Sequence, residues 1–126
     1  MKTVFCIDDN PRYMLLLKVA VRSLRALHGA GVPCLCVYAG DKTEVLEGLA
    51  RENVPLARYR PRLSRELLPP ETYASIGCFL KLELALVPEL AGDEAVLYCD
   101  SDVLFYRPLD ELFSGPLPPY MGKIGR

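Results

Sequence analysis

Two aspartates separated by one residue, Asp100 and Asp102, directly follow the apolar segment AVLYC at residues 95–99. In an extended chain, residues two apart point to the same side, so the two carboxylates are expected to converge on one point. Paired carboxylate oxygens suit Mg²⁺ or Mn²⁺, which usually completes its coordination shell with substrate phosphates. The pair therefore predicts a metal-assisted site for a nucleoside diphosphate, although Asp-x-Asp is also common in ordinary turns.

A second polar group, Asp8, Asp9 and Asn10, follows a short apolar segment at residues 2–7 that reads as a buried strand. From residue 12 onward apolar side chains recur at helical spacing, which predicts an amphipathic helix. Its expected buried positions are Leu17, Ala20, Val21, Leu24 and Leu27.

Alternating strands and helices continue along the chain. Gly29 and Gly31 are expected to end the first helix, and Asp41 and Glu44 have the spacing of a capping box for the second. The remaining expected elements are strands at 32–38, 54–59 and 95–99, helices at 43–52, 72–90 and 108–113, an irregular loop at 58–70, and extended chain at 103–106. This order predicts an α/β/α sandwich with a mainly parallel sheet, whose carboxyl edge would carry both acidic groups.

The composition of the 126-residue chain fits one domain, because 51% of its residues are hydrophobic and its net charge is −1. Balanced charge argues against nucleic-acid binding. No apolar run is long enough to cross a membrane, and two aspartates interrupt any secretory signal, so a cytoplasmic location is expected. The five cysteines, including the Cys34-x-Cys36 pair, are expected to be buried free thiols.

The sequence VLYCDSDVLF at residues 96–105, followed by PLDELF at 108–113, resembles a motif of glycosyltransferase family 8. The opening VFCIDDN at 4–10, with Tyr13 and the RSL at 22–24, is similar to the first strand, loop and helix of that family. The segment FLKLEL at 79–84 is similar to a family helix. The resemblance implies a GT-A (Rossmann-like) fold and a retaining transfer of a sugar from a nucleotide-sugar donor.

The resemblance also implies roles for individual residues. Asp100 and Asp102 match the metal-binding pair for Mn²⁺ or Mg²⁺, and Ser101 between them matches a contact to the ribose or diphosphate. Lys81 matches an arginine that holds the diphosphate or sugar, with a solvated residue on the rim of a helix as the alternative. The residues that match the uracil and ribose loop of a UDP-sugar site are Asp8, Asp9, Asn10 and Tyr13. No catalytic residue is assigned.

One departure from the family pattern concerns the third metal ligand, a histidine that the family carries well downstream of the aspartate pair. The only histidine here, His28, lies at the expected end of the first helix, where contact with the helix terminus is the expected role. The prediction is therefore a nucleotide-sugar-binding half-domain at residues 1–113, and a Pro/Gly-rich tail at 114–126 that continues into a missing carboxyl-terminal half.

Three functions follow as hypotheses. The first is metal-dependent transfer of a hexosyl group from a UDP-sugar to a glycan or glycolipid acceptor, with peripheral membrane contact through the missing half. The second is an inactive or truncated nucleotide-binding or interaction domain, whose exposed apolar surface would favour oligomers. The third is a phosphatase in which Asp100 attacks phosphorus and Asp102 is the acid/base.

Overall fold

The computed structural model describes residues 1–69, 75–93 and 95–110. Its strands are β1 (Lys2–Asp8), β2 (Cys34–Ala39), β3 (Leu56–Arg58) and β4 (Val96–Cys99), and its α-helices are α1 (Pro11–His28) and α2 (Thr43–Arg51). Three 3₁₀ segments cover Arg65–Leu67, Ile76–Leu86 and Pro88–Leu90. The four strands form one sheet in the order β3-β2-β1-β4, and every neighbouring pair is parallel. The predicted α/β architecture is confirmed.

The sheet is the middle of three layers. Because side chains alternate along a strand, Phe5 and Ile7 of β1 pack against the α-helices, whereas Val4 and Cys6 face the other side. The α-helical side is a core that includes Leu17, Val21, Leu24, Cys36, Val45 and Leu49. The opposite side is closed by Leu80 and Leu90 of the 3₁₀ segments and by Val87, which lies between two of them.

Helix α1 matches the prediction at both ends. Asn10 caps its first turn by accepting the backbone N–H of Arg12 at 3.1 Å, and Pro11 occupies the first helical position. Gly29 ends the helix with a φ of 86°, a conformation that glycine adopts without strain. The buried residues are Leu17, Ala20, Val21 and Leu24, as predicted, while Leu27 is half-buried.

Helix α2 begins at Thr43, as predicted, but Asp41 does not cap it. Lys42 occupies the N-cap position, and its side chain makes no capping hydrogen bond. The backbone N–H of Lys42 instead donates to the Tyr38 hydroxyl at 2.9 Å. This hydrogen bond ties the start of α2 to the end of β2, and it replaces the expected capping box at Asp41.

The predicted buried helix at 72–90 is the largest error. Residues 70–74 lie outside the described part of the chain, and Ile76–Leu86 is a 3₁₀ helix. With three residues per turn, only about one side chain in three can face the sheet. Leu80 is accordingly 1% exposed, whereas Leu82 is 74% exposed. Because most residues of this segment are apolar, its sequence shows no three-residue period.

Residues 103–110 run along α1 and contain no strand. Phe105 donates its backbone N–H to Ser23 Oγ at 3.1 Å, and Leu109 donates to His28 Nε2 at 3.0 Å. His28 thus lies at the amino edge of the sheet, beside Thr3. The predicted helix at 108–113 and the tail at 114–126 extend beyond the described residues. Within those residues no helix combines the length and hydrophobicity that crossing a bilayer requires.

Candidate functional site

The carboxyl ends of all four strands meet at one edge of the sheet, because the strands are parallel. Asp8 is the last residue of β1, and Asp100 follows directly after β4, the strand that pairs with β1. The two acidic groups therefore lie on neighbouring strand ends, where the sequence placed them. The next strand along this edge, β2, contributes Tyr38.

Asp8 is buried, and both of its carboxylate oxygens accept backbone N–H groups. Oδ1 accepts from Asn10 at 3.0 Å, and Oδ2 accepts from Gly77 at 3.1 Å. A Cβ on Gly77 would lie 3.1 Å from the Asp8 nitrogen, so any larger residue would have to push this segment away by a few tenths of an ångström. Asp8 thereby joins the end of β1 to the 3₁₀ helix, a contact that sequence reasoning missed because 69 residues separate the partners.

Asp9 is fixed by the end of β2. The Tyr38 hydroxyl donates to its carboxylate, and the Lys42 ammonium donates to its backbone carbonyl at 3.2 Å. The hydrogen bond from Tyr38 holds the pKa of Asp9 below its usual value. Burial, together with the same hydrogen bond, raises the pKa of Tyr38 to about 12. At neutral pH the pair is therefore a carboxylate held by a protonated phenol.

Asn10 and Tyr13 are the other residues assigned to the nucleotide loop. Asn10 precedes helix α1, and Tyr13 lies in the first turn of α1 beside the 3₁₀ helix Ile76–Leu86. The side-chain oxygen of Asn10 is the α1 cap described above. The Tyr13 hydroxyl lies 3.5 Å from Cys78 Sγ, and Ser75 Oγ lies 3.8 Å from the same sulfur. Hydrogen bonding with Cys78 raises the pKa of Tyr13. Asn10 thus shapes the loop, and Tyr13 braces it against the 3₁₀ helix.

The aspartate pair after β4 differs locally from the expectation. The strand ends at Cys99, and Ser101 and Asp102 form a turn, so the extended chain assumed through Asp102 is absent. Asp100 and Asp102 are exposed, and Ser101 between them is buried. Both carboxylates still lie at the sheet edge and are exposed to solvent. Their directions are set by this turn and not by the alternation of side chains along a strand.

Asp100 has a neighbour that the sequence did not identify. The Tyr98 hydroxyl donates to Asp100 Oδ1 at 2.5 Å. Burial, and then this hydrogen bond, raise the pKa of Tyr98, which therefore remains a donor. Lys81 Nζ lies 5.5 Å from the centre of the Tyr98 ring, a cation–π geometry. The exposed Lys81 is thus on the rim of the segment and also beside the aspartate pair.

The donor set at this edge suits a hard cation only in part. Within the described ranges, no group of three or more His, Cys, Asp or Glu side chains is arranged to hold a metal. The exposed carboxylates of Asp100 and Asp102 offer two anionic oxygen ligands, the number that Mg²⁺ and Mn²⁺ sites often take from the protein when a phosphate supplies others. The residues therefore fit a metal that is bound together with its substrate.

A cavity of about 610 Å³ opens at the carboxyl ends of β2 and β3. One wall comes from Tyr38, Gly40 and Asp41, the residues next to Asp9. The other wall comes from the last residue of β3 and the chain that follows it, Arg58, Tyr59, Arg60 and Pro61. Ile76 also lines the cavity. The edge of the sheet thus carries, in order, a basic and aromatic cavity, the Asp8-Asp9 loop and the aspartate pair.

Comparison with known proteins was made at the levels of sequence and structure. No family profile and no curated protein matches the chain. The crystal structure of the galactosyltransferase LgtC in complex with donor and acceptor sugar analogues matches with a TM-score of 0.75 and 26% identity, over 92% of this chain and 43% of that one. An active-site mutant of LgtC matches with a TM-score of 0.75 and 27% identity, over 92% of this chain and 42% of that one.

This chain therefore spans less than half the length of the two galactosyltransferase structures that it matches. The likeness covers 92% of the present chain. The chain has the GT-A fold of these glycosyltransferases, and the resemblance to glycosyltransferase family 8 drawn from its motifs is confirmed.

Proposed function

We propose that this chain is the nucleotide-sugar-binding part of a metal-dependent glycosyltransferase that uses a UDP-sugar donor and transfers the sugar with retention to a glycan or glycolipid. The observation that carries the proposal is the order of groups along the carboxyl edge of the sheet. The exposed carboxylates of Asp100 and Asp102 follow β4, polar loop residues lie at the end of β1, and an open cavity lies at the ends of β2 and β3. The LgtC structure with donor and acceptor analogues supports a sugar donor and acceptor.

The spacing of the strands supports a nucleotide lying across this edge. Neighbouring strands are about 4.8 Å apart, so the end of β2 lies about 10 Å from the end of β4. A nucleoside diphosphate in extended form covers a similar distance from its terminal phosphate to its base. We therefore place the diphosphate at Asp100 and Asp102 and the base at the cavity beside Tyr38.

Different residues on this edge would bind the metal, the diphosphate and the ribose. Asp100 and Asp102 would hold Mn²⁺ or Mg²⁺, which supplies Lewis-acid neutralisation of the charge that develops on the UDP leaving group. Tyr98 orients the Asp100 carboxylate through its hydroxyl. The Lys81 ammonium, beside Tyr98, adds positive charge where the diphosphate would lie. Ser101 is the remaining candidate contact to the ribose or diphosphate.

The β1 loop would act mainly by its shape. Asp8 and Asn10 use side-chain oxygens to fix the backbone of the loop, and Asp9 is held by Tyr38. We propose that these contacts pre-organise the loop for the uridine of the donor. Tyr13 adds a contact between the start of α1 and Cys78 of the 3₁₀ helix. Pre-organisation lowers the entropic cost of binding.

The test is calorimetric titration of UDP into the protein with and without Mn²⁺. We expect Mn²⁺ to strengthen UDP binding in the wild type. Asp100→Asn and Asp102→Asn should each abolish this gain, because a neutral amide is a poor ligand for a hard cation. Asp110→Asn is the matched control, because Asp110 is an exposed aspartate at the opposite edge and should leave binding unchanged. UDP binding that does not depend on the metal would refute the proposal.

An interaction role is the second candidate, and exposed apolar side chains favour it. Leu15 and Val19 lie on an open face of α1, and Leu104 and Tyr106 are exposed on the segment that runs along it. Exposed apolar groups of this kind often mark association surfaces. A concentration-dependent oligomer in light scattering, together with no UDP binding, would favour this role over glycosyl transfer.

A further inference from the structure

The carboxylate of Glu83 holds the loop that follows β3. Its Oε2 accepts the Tyr59 hydroxyl at 2.7 Å and the backbone N–H of Arg62 at 2.9 Å. Its Oε1 accepts the backbone N–H of Leu63 at 2.9 Å. One side chain of the 3₁₀ helix thus makes three hydrogen bonds across 20 to 24 residues of sequence.

All three partners of Glu83 are donors, so only an ionised carboxylate can accept from all of them. The hydrogen bond from the Arg62 backbone, followed by that from Tyr59, lowers the pKa of Glu83. Hydrogen bonds to a charged acceptor are stronger than neutral ones. Glutamine at this position would offer a single acceptor oxygen and would turn an amide N–H₂ toward donors.

The loop that Glu83 holds is the outer wall of the cavity assigned to the base. Tyr59 and Pro61 line that cavity, and Arg62 and Leu63 follow immediately. Tyr59 also packs against the core on the 3₁₀ side of the sheet. Fixing both ends of the turn at residues 59–63 therefore fixes the position of the cavity wall.

The 3₁₀ helix carrying Glu83 also touches the other parts of the site. Near its start Gly77 donates to Asp8 at the end of β1, and in its middle Lys81 lies over Tyr98 beside the aspartate pair. The contact through Glu83 is the one that reaches the β3 side. Each contact thus reaches a different part of the sheet edge. A substitution at Glu83 therefore changes the contact with the loop after β3 and leaves the other two contacts in place.

We propose that Glu83 is a positioning residue, which sets the wall of the base cavity without contacting the nucleotide. This inference rests on the proposed function for the identity of the ligand. Glu83 would then affect the affinity for the nucleoside part of the ligand, whereas Asp100 and Asp102 would affect the gain in affinity that the metal provides.

The first experiment measures the loop without ligand, by NMR hydrogen exchange of the full chain. In Glu83→Gln the amides of Arg62 and Leu63 should exchange about tenfold faster, the change expected when a hydrogen bond to a charged acceptor is weakened. Tyr59→Phe removes only one of the three hydrogen bonds and should give a smaller increase. Glu66→Gln, an exposed glutamate near the same loop, is the matched control. Unchanged exchange at both amides in folded Glu83→Gln would overturn the positioning role.

The second experiment compares uridine with UDP, each with and without Mn²⁺. Glu83→Gln should weaken the binding of uridine and of UDP by the same factor, about tenfold, and leave the Mn²⁺-dependent gain for UDP unchanged. A variant that keeps uridine affinity but loses the Mn²⁺-dependent gain would refute the assignment to the base end. If Glu83→Gln does not fold, Tyr59→Phe provides the same comparison with a smaller expected effect.

The two experiments separate failure of this inference from failure of the proposed function. If the wild type binds neither uridine nor UDP with Mn²⁺, the proposed function falls, and with it the role of Glu83 in nucleotide binding. The exchange rates of Arg62 and Leu63 then still decide whether Glu83 holds the loop.

Discussion

Replacing Gly77 by alanine tests the join between the 3₁₀ helix and the end of β1. An alanine Cβ would lie 3.1 Å from the Asp8 backbone nitrogen and 3.3 Å from its carboxylate carbon. These atoms belong to Asp8 at the buried end of β1 rather than to the far end of a flexible side chain. The segment must therefore move by a few tenths of an ångström, which lengthens the 3.1 Å hydrogen bond from Gly77 to Asp8.

The expected cost follows from two opposing effects. Loss of a buried hydrogen bond to a charged carboxylate costs about 1.5–3 kcal/mol. Alanine also restricts the unfolded chain, which stabilises the fold by about 0.4–1 kcal/mol where the backbone conformation allows it. We therefore expect Gly77→Ala to lower the free energy of unfolding by about 1–2 kcal/mol.

Urea denaturation at pH 7 is the assay, and Gly48→Ala is the matched control. The Cβ at Gly48 meets only the flexible side chain of Met14, at 3.2–3.3 Å, and Gly48 lies inside helix α2. Alanine there gains up to about 1 kcal/mol of helix propensity, so this variant should be as stable as the wild type or more stable. A Gly77→Ala protein with wild-type stability would refute the argument that close approach at Asp8 requires glycine.

Two further predictions concern the core and the β1 loop. Tyr38→Phe should destabilise the fold by about 1–2 kcal/mol at pH 7, because it removes the hydrogen bond to the Asp9 carboxylate and the acceptor of the Lys42 backbone N–H. Since that bond lowers the pKa of Asp9, its contribution is present above the ordinary Asp pKa and is lost as the pH falls through the lowered value. The difference from the wild type should therefore shrink between pH 7 and pH 3, and a constant difference would contradict this cause. Leu80→Ala should cost about 2–5 kcal/mol and Leu82→Ala less than about 0.5 kcal/mol, and similar losses in urea denaturation would contradict the 3₁₀ register.

Much of the fold could be predicted because its signals are local. Strand β1 is a short apolar run that ends at a cluster of turn residues, and α1 combines a cap, a proline and a glycine stop with a clear helical period. Each signal lies within a few residues of the element that it specifies. The parallel sheet then followed from the alternation of strands and helices. The error at Asp41 arose because the start of α2 is set by a contact with Tyr38 and not by its own side chain.

The sequence predicted the position of the aspartates in the candidate site, but it did not predict which residues surround them. Asp100 and Asp102 stand in a recognisable pattern after β4, and strand order alone brings them beside the end of β1. The partners of the acidic loop come from distant sequence, as the 69 residues between Asp8 and Gly77 illustrate. Neither partner has a feature in the sequence that points to the other.

The segment with the weakest local sequence pattern, Ile76–Leu86, contacts three parts of the candidate site. An apolar run without a clear period at Ile76–Leu86 reads equally well as a buried α-helix, so its three-residue turn is determined by what it packs against. That turn is what directs Leu80 to the sheet while Gly77 and Glu83 reach the ends of β1 and β3. An α-helix through the same residues would rotate by 100° per residue instead of 120°, so these three positions would no longer face their present partners together. The geometry of the site and the 3₁₀ period therefore depend on each other, and substitutions in this segment should affect both.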